Sequence, residues 1–526
     1  MAEDPKPPMP ETRSQLGDGD WTAFTEDGRK LKADVLMELG NIEKDESKYE
    51  EALRRYLEAK DLFAELGDLN GLARVHYVVG DIHRQQAQYA QAVSCYHRAL
   101  AQFQQVGNRQ MEGSILGSLG SVLQQQGNYA NAIANYKRSI TLLKEVGNRR
   151  QEGTILGSIG GFYQERGMYP EAITHYDKAI AIHREVGNRR NEGIAHGNLG
   201  IVYQELGRHD ESIAHHEHAR VISQEVGNRR QEGAVLGNLG CVYKEQGNLH
   251  EAIAHYNKAI AIHREVGERR LEGVVLGYLG DIYQGQGSYP VAIAHYQQAL
   301  TIHREVGNLR CEGIVLGNLG ALFQEQGLYD QVIRHYNQAL AIHRNLGNVR
   351  SEGIVLGNIG TVLQRQGRYA EAIAHYEQAL VIHREMGNRR DEGVWQGNLG
   401  DVFLKQGRLE EAARHLGRAV SIGEEIMPLA AGVFRGSLAL VRAKQGDVEA
   451  AQSLLSDGEP LVTIYPLEHG KFLCKKGSVY QLAGEREEAE EALQQAQRIA
   501  DELNIKPDSE LCKAIQELVA LLHPRP

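Results

Sequence analysis

The chain has 526 residues, a formal net charge of −11 and 42% hydrophobic residues. This acidic balance disfavours general attraction to nucleic acid or to an anionic membrane. Five scattered cysteines without metal-ligand spacing, together with the lack of a leader or a long apolar run, predict a cytoplasmic protein with reduced thiols.

Residues 1–28 are polar and contain several prolines, so we predict a disordered tail there. From residue 29 to 427 the sequence repeats every 40 residues, which predicts ten tandem units. Alanines and tyrosines recur in their own phases, for example Ala172 and Tyr176. One glycine phase is unbroken: Gly40, Gly80, Gly120, Gly160, Gly200, Gly240, Gly280, Gly320, Gly360 and Gly400.

Each unit has the pattern of two helices, A and B. In the unit around Gly160, Gly147 and Asn148 form a turn in which the asparagine can cap helix A, predicted from about Arg149 to residue 166. Gly167 ends that helix, and Pro170 opens helix B at a position where proline is tolerated.

Both helices of a unit have a small-residue face beside bulky side chains. In helix A, Leu156, Ile159, Gly160 and Tyr163 share one side. Glycine within a helix costs about 1 kcal/mol relative to alanine, so burial against a neighbouring unit must offset it. A single unit should therefore be unfolded, and the units should stack into a solenoid.

The Leu-Gly pair, followed by Tyr, Ala, Tyr and Ala at fixed distances, resembles the tetratricopeptide repeat, here lengthened to 40 residues. The long form, with GNLG in helix A and GNRR between units, is similar to Pins-type adaptors, kinesin light chains and bacterial repeat scaffolds. The resemblance implies an all-α, right-handed superhelical solenoid of about twelve repeats. Beyond residue 427 we expect two degenerate units (428–506), then a capping helix and tail (507–526).

A second stripe on helix A lies about half a turn from the core face. In a stack of helical hairpins the A helices line the concave side, so this stripe should face a groove. Its apolar, amide and acidic members, with a neighbouring glutamine row, are our predicted partner-binding residues: Ile194, Ile201, Val274, Ile314, Ile354, Asn198, Asn238, Asn318, Asn358, Asn398, Gln164, Gln204, Gln284, Gln324, Gln364, Glu165, Glu205, Glu245 and Glu325.

Asparagine and glutamine amides both donate and accept, so a row of them suits an extended peptide of any sequence. The family resemblance implies that asparagines at this place hold a partner's main chain. Acidic positions would favour basic side chains. The alternative is that the amides bond within the scaffold and the aliphatic residues pack on the preceding helix B.

Two recurring sets of residues, histidines and arginines, suggest other functions, namely metal binding and nucleic-acid binding. Histidines recur at His175 and at His183 in successive helices B, and the densest group is His209, His215, His216 and His218. Repeat duplication explains such rows better than metal binding does. An arginine row beginning at Arg150 is followed two residues later by glutamate, which favours an ion-pair ladder over a nucleic-acid track.

No phosphate-binding, hydrolase or zinc-protease motif is present. The sequence therefore predicts a non-enzymatic scaffold without cofactor or metal, which binds extended and possibly basic segments of other proteins. The alternative function is a regulatory or sensor solenoid that acts on a separate effector. Neither nucleic acid nor a membrane is expected as a partner.

Overall fold

The computed structural model describes residues 26–46, 48–507 and 509–524; residues 1–25 of the predicted tail lie outside them, as do the side chains of Asp45 and Glu325. Across the described residues the chain forms 25 α-helices and no strand. The first 24 helices form consecutive antiparallel pairs, and one helix follows. The predicted all-α repeat fold is confirmed.

The chain divides into two compact units after Val266, and the first contains six helix pairs. Its A helices are α1 (Glu26–Asp45), α3 (Leu69–Gln85), α5 (Arg109–Gln125), α7 (Arg149–Glu165), α9 (Arg189–Glu205) and α11 (Arg229–Glu245). Its B helices are α2 (Tyr49–Glu65), α4 (Tyr89–Gln105), α6 (Tyr129–Glu145), α8 (Tyr169–Glu185), α10 (His209–Glu225) and α12 (Leu249–Glu265).

The second unit, from Gly267 onward, contains six further pairs and a final helix. Its A helices are α13 (Arg269–Gly285), α15 (Leu309–Glu325), α17 (Val349–Arg365), α19 (Arg389–Lys405), α21 (Pro428–Lys444) and α23 (Pro466–Ala483). Its B helices are α14 (Tyr289–Glu305), α16 (Tyr329–Asn345), α18 (Tyr369–Glu385), α20 (Leu409–Ile426), α22 (Val448–Val462) and α24 (Arg486–Glu502), and α25 (Glu510–Leu522) ends the fold.

The turns between helices follow the predicted chemistry. Gly147 has φ +69°, a conformation that glycine adopts without steric cost. The Asn148 side chain accepts a hydrogen bond from the Gln151 backbone N–H at 3.1 Å and caps α7. Pro170 stands in the first turn of α8, as expected. At the start of α7, one glycine and one cap residue thus set the helix boundary.

Within a pair, the A-helix glycine lies against the B-helix tyrosine. A Cβ atom at Gly160 would stand 2.8 Å from the Tyr176 ring, so only glycine allows this approach. Tyr176 is 1% exposed, and Leu156 and Ile159 are buried beside it. The predicted core face is confirmed, with Tyr163 half-buried at its edge. Burial of each large side chain contributes about 1.5–3 kcal/mol, which offsets the helical glycines.

Candidate functional site

The predicted partner-binding residues share one side of the A helices, which we call the A-helix face. In α9, Ile194 is 42% exposed, Asn198 and Ile201 are half-buried, and Glu205 is exposed. Glu165 and Glu245 are exposed as well, and Ile314 is 48% exposed. The remaining members are half-buried: Asn238, Asn318, Asn358, Asn398, Gln164, Gln204, Gln284, Gln324, Gln364, Val274 and Ile354. The side chain of Glu325 lies outside the described residues.

In the first unit, the glutamines connect successive A helices to one another. Gln164 Nε2 donates to Glu205 at 3.3 Å, and Gln204 Nε2 donates to Glu245 at 2.8 Å. The Gln164 carbonyl oxygen also accepts from the Tyr176 hydroxyl at 3.1 Å. Each of these bonds lies within the scaffold. For the glutamines, this arrangement agrees with the alternative stated above, in which the amides bond within the scaffold.

The phenol donors of this network hold their protons firmly. Tyr136 donates to the Gln124 carbonyl oxygen at 3.0 Å, and burial raises its pKa to about 12. Burial likewise raises the pKa of Tyr176, with the nearby Glu165 and Glu205 charges adding to the effect. These hydroxyls therefore remain donors at neutral pH and fix the orientation of the glutamine amides.

In the second unit, Asp281 gathers the polar groups of the A-helix face. It accepts from the Tyr296 hydroxyl at 2.7 Å and from Asn318 Nδ2 at 3.0 Å. A shallow cavity of about 700 Å³ opens here, lined by Asp281, Gln284, Gly285 and Asn318 among others. Gly285 stands where α7, α9 and α11 end in glutamate, and its lack of a side chain contributes to the opening.

The last residue of the A helix changes sign along the chain. It is Glu165 in α7, Glu205 in α9 and Glu245 in α11, but Arg365 in α17 and Lys405 in α19. The sequence reasoning identified the acidic members and missed the two basic ones. The signal was present, because the same 40-residue phase that selected Glu165 also selects Arg365 and Lys405.

A ladder of ion pairs runs along the other end of the A helices. Glu192 is 1% exposed and accepts from Arg184 at 2.9 Å and from Arg189 at 2.7 Å. Arg189 also pairs with the exposed Glu225 at the end of α10, the B helix of the same pair, whereas Arg184 belongs to α8 of the preceding pair. An inter-repeat ladder therefore exists, but its arginines precede the predicted row, which included Arg190, by one residue.

The two histidine rows are part of the packing. His183 is buried against Gly153, where a Cβ atom would stand 2.8 Å from the ring. His255 stacks on Tyr243 with ring centroids 5.2 Å apart, and the same contact recurs in neighbouring repeats. Desolvation by burial lowers the pKa of His183 and of His255 below the ordinary value.

One histidine cluster departs from the repeat pattern. His196 replaces the usual leucine, its Nδ1 lies 3.0 Å from Nδ1 of His215, and its ring centroid is 5.1 Å from that of His218. His216 points elsewhere and packs on Gly200. Within the residues that the structure describes, no group of three or more His, Cys, Asp or Glu side chains is placed to hold a metal ion.

Comparison with protein families decides the classification. The family model described as "Tetratricopeptide repeat" matches at 31–105, 71–145, 111–185, 151–208, 191–265, 272–345 and 351–425. Two related tetratricopeptide models match at 238–305 and 470–502. This chain belongs to the tetratricopeptide-repeat family. The repeats thus account for most of the chain from residue 31 to 502.

Solved structures resemble this tetratricopeptide-repeat protein in fold at low sequence identity. Aspartyl phosphate phosphatase F from Bacillus subtilis is 12% identical, with a TM-score of 0.44, and the match covers 69% of this chain and 95% of that one. The apo form of RapI is 15% identical, with a TM-score of 0.42 and coverages of 52% and 99%. BtubC (BKLC) from P. vanneervenii is 17% identical, with a TM-score of 0.36 and coverages of 46% and 93%. No curated protein sequence matches this chain.

One further finding concerns membranes. None of the helices in the described part of the chain combines the length and the apolar content that crossing a membrane requires.

Proposed function

We propose that this tetratricopeptide-repeat protein is a non-enzymatic scaffold that binds extended segments of other proteins along its A-helix face. The observation that carries the proposal is the mixed chemistry of that face. Exposed aliphatic side chains such as Ile194 and Ile314 stand beside half-buried asparagine amides and exposed carboxylates. Aliphatic positions supply contact area, and amides supply hydrogen bonds to a peptide backbone.

The asparagines are better candidates for partner contacts than the glutamines. Gln164 and Gln204 are already bonded at 3.3 and 2.8 Å to acids of the next repeat. Asn318 has one amide hydrogen directed to Asp281, at the edge of the cavity, and its carbonyl oxygen keeps acceptor capacity. We therefore assign main-chain binding to the asparagines and orientation of the acids to the glutamines.

The carboxylates at the ends of α7 and α9 favour basic segments as partners. Glu165 and Glu205 accept hydrogen bonds from glutamine amides, which leave their charge intact. In the described part of the chain, neither carboxylate forms an ion pair with a lysine or arginine. A partner lysine or arginine could therefore pair with them, and such pairing weakens with added salt. A cytoplasmic location is in keeping with five cysteines that form no disulfide in the described part of the chain.

The test begins with a displayed library of random peptides selected on the full chain. A selected peptide is then measured by fluorescence anisotropy against the triple variant Asn238→Ala, Asn318→Ala, Asn358→Ala. Each lost amide bond is worth about 1 kcal/mol, so we expect affinity to fall by about tenfold or more. The matched control replaces three exposed B-helix asparagines with alanine: Asn131, Asn257 and Asn337.

The control variant should bind as the natural protein does, and the helical circular dichroism of both variants should be unchanged. Equal peptide binding by both triple variants would remove the asparagines from the site. A selection that enriches no peptide at all would contradict the proposed function.

A further inference from the structure

The final helix packs in the place of one more A helix. Leu511, Ile515, Leu518 and Leu522 of α25 are buried in a cluster with residues of α23 and α24. A Cβ atom at Gly470 would stand 3.0 Å from Leu511. The apolar side of α25 is therefore fully used in closing the last helix pair.

The polar side of the same helix reaches back across more than a hundred residues. Glu510 Oε1 accepts from Arg365 Nη2 at 2.5 Å, and the Glu517 carboxylate lies 3.0–3.1 Å from Lys405 Nζ. Lys471 Nζ adds a third contact, to Glu510 at 3.4 Å. Burial acts to raise the pKa of Glu510, but the charges of Arg365 and Lys471 bring it below the ordinary value.

The spacing on both partners matches. Glu510 and Glu517 are seven residues apart, which is two helical turns or about 10.5 Å along α25. Arg365 and Lys405 are the last residues of two consecutive A helices, α17 and α19. Two carboxylates on one helix thus meet two cations on neighbouring repeats.

The sign of the charge makes the contact specific to this part of the face. In α7, α9 and α11 the equivalent residues are Glu165, Glu205 and Glu245, which would repel an acidic helix. At Arg365 and Lys405 the repeat departs from that pattern. The departure coincides with the two residues that contact α25.

We propose that Arg365 and Lys405 form a docking site for an acidic helix on the A-helix face, and that α25 of the same chain is its occupant. The inference rests on the proposed function in one respect, since it assumes that this face is where partners bind. In the second unit, this basic part of the A-helix face is then closed to acidic partners by the protein's own last helix. In the first unit, Glu165, Glu205 and Glu245 remain available to basic segments.

Cys474 offers a direct readout of α25 docking. Its side chain is 4% exposed in the cluster beneath α25, and burial raises the pKa of its thiol to about 12. A thiol reagent therefore reaches it when α25 moves away. The experiment measures the alkylation rate of Cys474 in the full chain by peptide mass spectrometry.

The double variant Arg365→Glu, Lys405→Glu should label at Cys474 about 2- to 30-fold faster, the range expected from losing two exposed ion pairs. The matched control is Arg368→Glu, Arg408→Glu, which makes the same change in charge. Those arginines immediately precede α18 and α20, and they pair with Glu371 and Glu411 in the first turns of these helices. The control should label as the natural protein does.

Adding Glu510→Lys and Glu517→Lys to the first variant restores opposite charges and should restore slow labelling. In the natural protein, raising the salt concentration should also speed labelling, because these pairs are exposed and screened. Equal labelling of the Arg365/Lys405 variant and the Arg368/Arg408 control, or no rescue by the charge swap, would overturn the inference. Peptide binding by the asparagine variants is measured in a separate experiment. The labelling results for α25 can therefore be interpreted even if the proposed function fails its own test.

Discussion

In most helix pairs a glycine of helix A lies against an aromatic ring of helix B, and α15 allows a test of the importance of this contact within one helix. A Cβ atom at Gly320 would stand 2.5 Å from the Tyr336 ring, whereas one at Gly317 would meet nothing within 4 Å. Alanine favours a helix over glycine by about 1 kcal/mol, and overpacking costs about 1–3 kcal/mol. Gly317→Ala should therefore raise the thermal unfolding midpoint and Gly320→Ala should lower it. Similar midpoints would show that Tyr336 moves aside without cost.

A buried histidine in the tyrosine phase makes a second residue-scale prediction. His216 is fully buried on Gly200, both ring nitrogens lack a hydrogen-bond partner, and burial lowers its pKa from 6.5 to about 4. The unfolded chain therefore binds the proton more readily. The stabilising effect of the neutral ring is complete above about pH 6.5 and is lost as the pH falls toward 4, by about 3 kcal/mol in total.

His216→Tyr should restore the packing of the other repeats. The new hydroxyl can donate to Gln204, as Tyr176 donates to Gln164 at 3.1 Å. We expect a gain of about 1–3 kcal/mol at neutral pH, because no unsatisfied ring nitrogen remains, and a smaller loss on acidification. Hydrogen exchange of α9 and α10 between pH 7 and 4.5 measures both. The reverse change, Tyr256→His, should increase the acid sensitivity of its own repeat.

At the scale of the element, one arginine of the ion-pair ladder forms a strong pair with a buried carboxylate and a weak pair with an exposed carboxylate. Arg189 contacts both Glu192, which is 1% exposed, and Glu225, which is exposed. Glu192→Gln weakens two charge-assisted bonds in a dry site and should reduce local stability by about 1–3 kcal/mol. Glu225→Gln should cost less than about 1 kcal/mol. Hydrogen exchange of α8 and α9 compares the two, and equal effects would show that Glu192 is effectively solvated.

The helices and their packing could be predicted from the sequence because each rests on local rules repeated many times. The turn, the cap and the first helical turn follow from the conformational preferences of Gly147, Asn148 and Pro170. Because the pattern recurs every 40 residues, an exception in one repeat does not obscure the prediction. Individual contacts between side chains were harder to predict from the sequence. The phase placed arginine near Glu192, but only the structure shows that Arg189, and not Arg190, makes the contact.

The candidate site was predicted as a surface and not as a set of bonds. The sequence placed Asn198 and Gln164 on one side of helix A, yet it could not decide whether a half-buried amide faces solvent or a neighbour. That choice depends on the distance between stacked repeats. The docking of α25 on Arg365 was beyond reach, because α25 lies outside the repeat and 145 residues separate Arg365 from Glu510.

For the whole molecule, stability should follow the number of complete units, since each helix pair mainly contacts its neighbours. Deleting residues 189–228 removes one A helix and one B helix and rejoins Asn188 to Arg229, which regenerates the same Gly-Asn-Arg-Arg turn. The shortened chain should keep its helical content and lose only a few degrees in unfolding midpoint.

Deleting half a unit, residues 189–208, should behave differently. It joins the end of α8 to the start of α10, so two B helices would follow one another. The glycine face that receives His216 would be missing. The side of α8 that packs against Ala195, Leu199 and Val202 of α9 would lose these partners. We expect loss of cooperative unfolding and exposure of apolar surface, measured by calorimetry and dye binding. Equal stability of the two deletions would mean that A and B faces are interchangeable, which the glycine–ring contacts at Gly160 and Gly200 do not allow.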